Sequence, residues 1–527
     1  MGKLEGIGKS TAAAIREWVD SGTMTRIEEQ RALHPPGKLE LLRVPGLGPK
    51  SIAALQQGLG IVDLDSLREG LANGKVAELP GMGEKTAKNL AKSIEQLGLH
   101  SKDRRVPSFT AVPLAEAFVS GLRAIDGVLD AQYAGSLRRF REDVGDLDLL
   151  VSAPPDRAGA VMAWVAEHED VDDVIGHGET KTSIRTRDGV QVDVRVVAPE
   201  SFGAALLYFT GSKAHNIKLR QRAQERGLTL NEYELAEVDG GARVASRTEA
   251  DVYEALGQPW IPAEIREDTG EFGRAQAGPI RLVELGDLLG DLHDHTTASG
   301  DGKSTLEEMV AAASDRGFAY LAITDHAEDL RINGVSRAGM LEQRARIREL
   351  QEQYPDMALL HGVELNMGAD GSLDYDQEFL EGFDWCVASV HSHFRRPVAE
   401  QTARIVAAIR NPAVNVIGHL TGRMLGKRPG IDLDLDPIFE ACVETGTALE
   451  INANLKRLDA SAEVVREGIA RGVWFVISTD AHHSSEYDNH VHGVRNARRA
   501  GAEPASIANT WNQERFLQWA KDVRGGS

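Results

Sequence analysis

Residues 135–148 read GSLRRFREDVGDLD, and residues 190–197 read VQVDVRVV. Asp146 and Asp148, two positions apart in an extended segment, project from the same face. Asp193 alternates with Val192, Val194 and Val196, the pattern of a half-buried strand. On neighbouring strands the three carboxylates would form a cluster able to share a pair of divalent cations. One ion would serve an attacking hydroxyl, the other a triphosphate and its leaving group. An isolated Asp-x-Asp is more often a turn or a solvent face. Here a Gly-Ser pair ten residues earlier and a third strand aspartate favour the metal reading. Ser136 and Arg139, with backbone N–H groups around Gly135 and Gly145, are suited to triphosphate oxygens. The surrounding pattern predicts a mixed α+β domain. Segments 127–136, 144–153 and 189–199 read as strands, and 154–169 reads as a helix.

Upstream lies an internal repeat. LEGIGKSTAAAI (4–15), VPGLGPKSIAAL (44–55) and LPGMGEKTAKNL (79–90) each place Gly-x-Gly after an apolar residue and before an Ala-bearing amphipathic stretch. Glycines permit a tight hairpin with positive φ, and the helix start that follows offers free N–H groups to an anion. This is the helix-hairpin-helix pattern. A single copy could be only a helical turn. Three copies predict sequence-independent contacts to DNA phosphates through Gly46, Gly48, Lys50, Gly81, Gly83 and Lys85.

Downstream, short apolar runs alternate with longer amphipathic ones from residue 288 onward, which predicts a barrel-like α/β domain. Chemistry-bearing residues recur at the ends of the runs. They are Asp291-Leu292-His293-Asp294-His295, Thr324-Asp325-His326, Gly362-Val363-Glu364, Ser389-Val390-His391, Gly418-His419 and Asp480-Ala481-His482. Active sites of α/β barrels are built at such strand ends. Any one of these histidines would more often be a buried hydrogen-bonding residue or a surface one. Six strand ends, five bearing histidine and one bearing Glu364, point to Zn, Mn or Fe ligation and hydrolysis of a phosphodiester.

Bulk composition sets limits. With 59 Lys+Arg against 80 Asp+Glu the net charge is −21, which by itself speaks against nucleic-acid binding. The balance is uneven: residues 1–105 carry +3 and the remainder −24. Eleven of the 16 histidines follow residue 287. Two cysteines, Cys386 and Cys442, make no disulfide framework. No apolar run is long enough for a membrane span, and no signal peptide precedes the first hairpin. A reducing, cytoplasmic setting is expected.

The order Gly-Ser, Gly-Asp-x-Asp, Asp resembles the nucleotidyltransferase superfamily. Tyr208-Phe209-Thr210-Gly211-Ser212 narrows the resemblance to bacterial family X DNA polymerases, related to polymerase beta. It implies Asp146, Asp148 and Asp193 as catalytic metal ligands for Mg or Mn, and Ser136 and Arg139 on the triphosphate. Tyr208, Phe209 and Gly211 would line the nucleotide's sugar, Asn216 would reach the minor-groove edge of its base, and Arg220 would touch the template. Core packing is the plain alternative for the two aromatics. The C-terminal half resembles the PHP (polymerase and histidinol phosphatase) domain, a distorted (β/α)7 barrel holding two to three Mn, Zn or Fe ions. The resemblance implies His293, His295, His326, Glu364, His391, His419, Asp480 and His482 as ligands. The ninth is Asp301, displaced by one position in Ser299-Gly300-Asp301-Gly302. Arg423 and Arg457 are placed to grip substrate phosphates, with surface salt bridges as the alternative. His393, His483, His490 and His492 are weaker ligand candidates.

The domain expectation is therefore a helix-hairpin-helix region over 1–104, a nucleotidyltransferase palm over 105–200 and a nucleotide- and base-pair-binding subdomain over 201–265. A linker over 266–287 and a PHP domain over 288–527 follow. Relatives usually carry several dozen residues before the first hairpin, and their lyase lysine matches Ala14 here. The amino-terminal lyase region is thus expected to be truncated and without Schiff-base activity. The expected protein is a monomeric gap-filling DNA polymerase acting on deoxynucleoside triphosphates, with a 3′→5′ exonuclease and 3′-end or abasic-site processing. The alternatives are a phosphoesterase for a small phosphate ester and a DNA-binding scaffold with inactive polymerase chemistry.

Overall fold

A computed structural model describes residues 16–17, 41, 44, 47–84, 86–91 and 105–525. The chain divides into two units, Met1–Arg105 and Val106–Ser527. In the first, helix Pro49–Leu59 begins after Gly48 with proline in its first turn and ends at left-handed Gly60. Ile52, Leu55, Leu67, Val76 and Leu90 share one small core. The third hairpin needs glycine at Gly81, where φ is +85°. At Gly48 φ is an ordinary −94°. A Cβ at Gly48 or Gly83 would meet nothing within 4 Å, so these backbones are open to an approaching ligand. The first hairpin, with Ala14, and residues Gly46 and Lys85 lie outside the described residues.

In the second unit the palm is a five-stranded sheet. Its strands are β1 Asp130–Tyr133, β2 Leu147–Ser152, β3 Val171–His177, β4 Lys181–Thr186 and β5 Gln191–Val197, in the order β1-β2-β5-β4-β3. β2 and β5 are parallel, and the other pairs are antiparallel. Alternation sends Leu149, Val151, Val192 and Val194 toward helices Ser108–Arg123 and Ala158–Ala166. Leu150 packs on the other face against Ala205 and Leu206 of helix Phe202–Thr210. Asp148, two residues from Leu150, shares that face.

The next subdomain joins helices Lys213–Gln224 and Glu249–Ala255 to three short antiparallel strands, β6 Leu228–Leu230, β7 Leu235–Glu237 and β8 Arg243–Ala245. Gly240 and Gly241, both at positive φ, close the hairpin between β7 and β8. The expected linker departs from a connector. Its helix Glu271–Ala277 puts Phe272 and Ala275 into the core made by Leu219, Val252 and Tyr253. Fully buried His215 stacks on Phe272 and lies 2.8 Å from both Glu271 and the Tyr253 hydroxyl. The Gly and charged residues of this stretch conceal two apolar positions one helical turn apart.

Seven parallel strands follow in sequential order. They are β9 Gly290–Asp291, β10 Tyr320–Ile323, β11 Ala358–Asn366, β12 Trp385–Ser389, β13 Val416–Gly418, β14 Ala448–Asn452 and β15 Phe475–Ser478. A parallel bridge between Asp294 and Ala481 brings the two ends together, so the barrel is nearly closed. These strands are buried on both sides, which explains their continuous apolar runs. Helix His490–Ala500 lies between the barrel and the palm. His492 stacks on Phe140, and the Arg495 guanidinium sits 4.5 Å above the same ring.

Candidate active sites

The parallel register of β2 and β5 sets Asp148 directly beside Asp193. Asp146 lies two residues back, in the bend before β2, close enough for its charge to act on Asp148. Burial, then Asp146, then Asp193 push the Asp148 carboxyl up to about 7. Burial reinforced by two like-charged neighbours is a combination that a bound cation would relieve. Asp193 behaves oppositely. Burial would raise it, but hydrogen bonds from Lys181, Gln191 and Ser183 outweigh that and hold it below the usual range. Lys181 Nζ lies 2.9 Å from Asp193 Oδ2, and Gln191 Nε2 donates to Oδ1 at 3.1 Å.

Gly135 begins the turn that faces this cluster. Its φ is +61°, and a Cβ there would sit 2.3 Å from Asp148 Oδ2. Glycine is therefore required twice over, for conformation and for space. Ser136 follows half-buried, and Gly145 is exposed. Arg139 Nε donates to Glu267 Oε1 at 3.0 Å, and its Nη1 donates to the Thr210 carbonyl. Gly211 is at positive φ and leaves room for that guanidinium. Tyr208 and Phe209 meet edge to face at 5.2 Å, with Arg195 stacked over Phe209. Asn216 Nδ2 donates to the Tyr208 carbonyl at 2.7 Å, and Arg220 Nε donates to the Asn216 carbonyl at 3.3 Å. Tyr208, Asn216 and Arg220 line one small recess.

The barrel brings all nine proposed ligands of the second site together. Glu364, within β11, is the hub. Its carboxylate lies 2.8 Å from His326 Nδ1, 3.1 Å from His391 Nε2, 3.0 Å from His419 Nε2, 3.4 Å from His293 Nε2 and 3.6 Å from His295 Nε2. Asp480 Oδ1 lies 3.3 Å from His295 and 3.8 Å from His293. Asp301, despite its shifted position, reaches His326 Nε2 at 3.5 Å and His482 Nε2 at 3.4 Å. Three sets have ligand atoms all within 4.8 Å of one another: His295, His326 and His482; His293, His295 and Asp480; His326, Glu364 and His391. His419 and Asp480 adopt left-handed backbone, at φ +23° and +54°. Strain of that kind persists only where the surroundings enforce it.

The donor set fits divalent ions. Buried His293 Nε2, both His295 ring nitrogens, His419 Nδ1 and Glu364 Oε2 make no hydrogen bond among the described residues. Such orphaned atoms cost free energy unless a ligand satisfies them. Burial would lower the His293 pKa, but Glu450, Glu364 and Asp480 outweigh it and hold the imidazole well above its ordinary value.

Several residues go beyond the sequence reading. Glu450, the single acid inside the apolar run of β14, lies 2.7 Å from His293 Nδ1 and accepts the His419 backbone N–H. Asn366 Oδ1 lies 2.7 Å from His391 Nδ1. These groups orient the imidazoles of His293 and His391 and the main chain of His419 from behind. An acid in a buried strand was the available signal for Glu450. Lys181 begins a polar strand and carried none. Arg457 Nε sits 3.2 Å from Asp480, at the site. Arg423 does not face it: its guanidinium clasps Glu142 of the palm at 2.6 and 3.0 Å. His490 pairs with Asp291 at 3.1 Å, and His492 lies against the palm.

A carboxylate triad on a five-stranded palm, joined to a histidine-rich parallel barrel, defines a nucleotidyltransferase coupled to a PHP-type metallophosphoesterase. The sequence agrees. It matches the SAM-like helix-hairpin-helix tandem over residues 38–96, the DNA polymerase beta thumb over 205–267 and the PHP domain over 291–454. The chain is 37% identical over 512 residues to the DNA polymerase/3'-5' exonuclease PolX of Bacillus subtilis, covering 97% of this chain and 89% of that relative. It belongs to this family of family X DNA polymerases with a PHP domain. Shorter matches are to probable phosphatases. One from Vibrio atlanticus is 30% identical over 206 residues, 37% of this chain and 79% of the relative. One from Vibrio parahaemolyticus is 30% identical over 243 residues, 44% of this chain and 93% of the relative.

Proposed function

We propose that the protein is a template-directed DNA polymerase for short gaps whose PHP barrel is a 3′→5′ exonuclease. The observation that carries this reading is the register of Asp148 beside Asp193, with Asp146 two residues away, on a palm separate from the nine-residue cluster in the barrel. Asp146, Asp148 and Asp193 would hold Mg or Mn. His293, His295, Asp301, His326, Glu364, His391, His419, Asp480 and His482 would hold two to three Mn, Zn or Fe ions. Divalent ions at either site supply Lewis acidity, easing deprotonation of the attacking oxygen and neutralising charge at phosphorus.

The protein's own groups do the rest. Lys181 keeps Asp193 ionised and fixed. Arg139 and Ser136 bind the triphosphate, with the Gly135 turn bringing backbone N–H groups close. Tyr208, Phe209 and Gly211 line the sugar, Asn216 senses the minor-groove edge of the base, and Arg220 contacts the template. Such edge contacts test pair shape without reading sequence. Gly48, Lys50, Gly81 and Gly83 of the hairpin unit hold DNA phosphates, as Gly46 and Lys85 would by sequence. In the barrel, Arg457 is poised beside Asp480 to take a substrate phosphate. The probable phosphatases favour a small-ester reading for the barrel alone, but they match less than half of the chain. Among the described residues no helix is long and apolar enough to cross a membrane.

The test is an assay of chelated protein resupplied with Mg or Mn, on a primer–template with a one-nucleotide gap. Metal-dependent extension in the presence of triphosphates, and 3′ trimming in their absence, are expected. Trimming without extension at any metal concentration would leave only the hydrolytic half of the reading.

A further inference from the structure

Arg139, the proposed triphosphate ligand, is held by a residue of the barrel domain. Its Nε donates to Glu267 Oε1 at 3.0 Å, and the same oxygen accepts from Arg499 Nη1 at 2.9 Å. Arg499 Nη1 also donates to the backbone carbonyl of Arg139 at 2.9 Å. Arg499 is 5% exposed, Arg139 12% and Glu267 16%, so little water screens the three charges. Arg499 projects from helix His490–Ala500, which is fixed at both ends. His490 pairs with Asp291 at the barrel's first strand, and Arg498 pairs with Glu264 at 2.7 Å.

Each part of the network constrains Arg139. Glu267 and the Thr210 carbonyl take Nε and Nη1, and Nη2 has no hydrogen-bond partner among the described residues. That arrangement leaves Nη2 as the donor for a phosphate oxygen. Glu267 alone would oppose a triphosphate, because an unbalanced carboxylate beside the site repels it. Arg499 adds a buried positive charge to that of Arg139. The more exposed Arg141 lies 3.9 Å from the same Glu267 oxygen, and exposed Glu463 lies 4.0 Å from Arg499 Nη2. The bond from Arg499 to the Arg139 carbonyl fixes the backbone from which the guanidinium extends.

We infer that Arg499 is a positioning residue for the incoming nucleotide, so that the PHP domain completes the triphosphate pocket of the polymerase site. The inference rests on the reading of Arg139 as a triphosphate ligand. Removing Arg499 takes one positive charge away from the cluster around Glu267 and frees the Arg139 main chain. Nucleotide binding should suffer more than the chemical step.

Single-nucleotide insertion by the full chain tests this, with 3′ trimming measured on the same preparations. Arg499→Ala should raise KM for the incoming triphosphate about tenfold, the weight of one charge-assisted hydrogen bond, with a smaller change in kcat. Trimming should be unaltered. Arg499→Lys, which keeps the charge, should recover part of the loss. In an Arg139→Ala background the Arg499→Ala effect on KM should vanish, which a merely structural role would not produce. If Arg499→Ala fails to fold, Arg499→Gln is read by the same two criteria. An unchanged KM in a folded Arg499 variant, or a KM effect that persists in full without Arg139, overturns the inference. Failure of Arg139→Ala itself to raise KM would instead overturn the assignment of Arg139 to the triphosphate.

Discussion

Asp148 carries the clearest electrostatic signature in the proposed polymerase site. Its carboxyl is raised to about 7 by burial and by Asp146 and Asp193, so in metal-free protein its protonated form stabilises the fold. That contribution is present near the ordinary value of 3.8 and is lost as pH climbs toward 7, by on the order of 4 kcal/mol at 1.4 kcal/mol per unit. Asp148→Asn should therefore raise the melting temperature of chelated protein at pH 8, with a gain that shrinks toward pH 4. An equal change at both pH values would contradict the cluster. In the barrel, Glu450 supports His293 and the His419 main chain from behind. Glu450→Gln keeps the shape and removes the charge. It should weaken metal affinity about 10- to 100-fold, read as a rightward shift when nuclease activity is titrated with Mn. An unchanged titration would show that Glu450 does not tune the site.

Among elements, the turn at Gly135 links backbone geometry to chemistry. Gly135→Ala would force a Cβ into the space of Asp148 Oδ2 at a φ that costs a non-glycine residue about 1 kcal/mol or more. The displaced carboxylate should reduce nucleotide addition by about 100-fold while 3′ trimming stays normal, measured side by side. Full polymerase activity would mean that the turn does not shape the site. This is also the scale at which the sequence was least legible. β2 and β5 were readable because valines and leucines alternate with the aspartates. β3 and β4 were not: Val171–His177 is mostly exposed, with Val171, Val174 and Ile175 interrupted by Asp172, Asp173 and Gly176, and Lys181–Thr186 has one large apolar residue, Ile184. Helix Glu271–Ala277 was hidden by glycines and charges on either side of Phe272. Arg423 read as a phosphate ligand because position along a strand end cannot distinguish a side chain facing the cavity from one facing Glu142 of the palm.

For the whole molecule, the order of parts was legible because each carries its own periodicity: repeated Gly-x-Gly, alternating valines around Asp193, and parallel-strand runs ending in His or Asp. Pairing between parts was not, since Arg499, Glu267 and Arg139 are brought together only by tertiary structure. The two proposed active sites share no ligand. The most direct measurement is therefore a paired assay of Asp193→Ala and His326→Ala, each folded by circular dichroism and each tested for primer extension and 3′ trimming. Asp193→Ala is expected to lose extension and keep trimming, and His326→Ala to do the reverse. Loss of both activities in both variants, or extension that survives Asp193→Ala, would contradict that expectation.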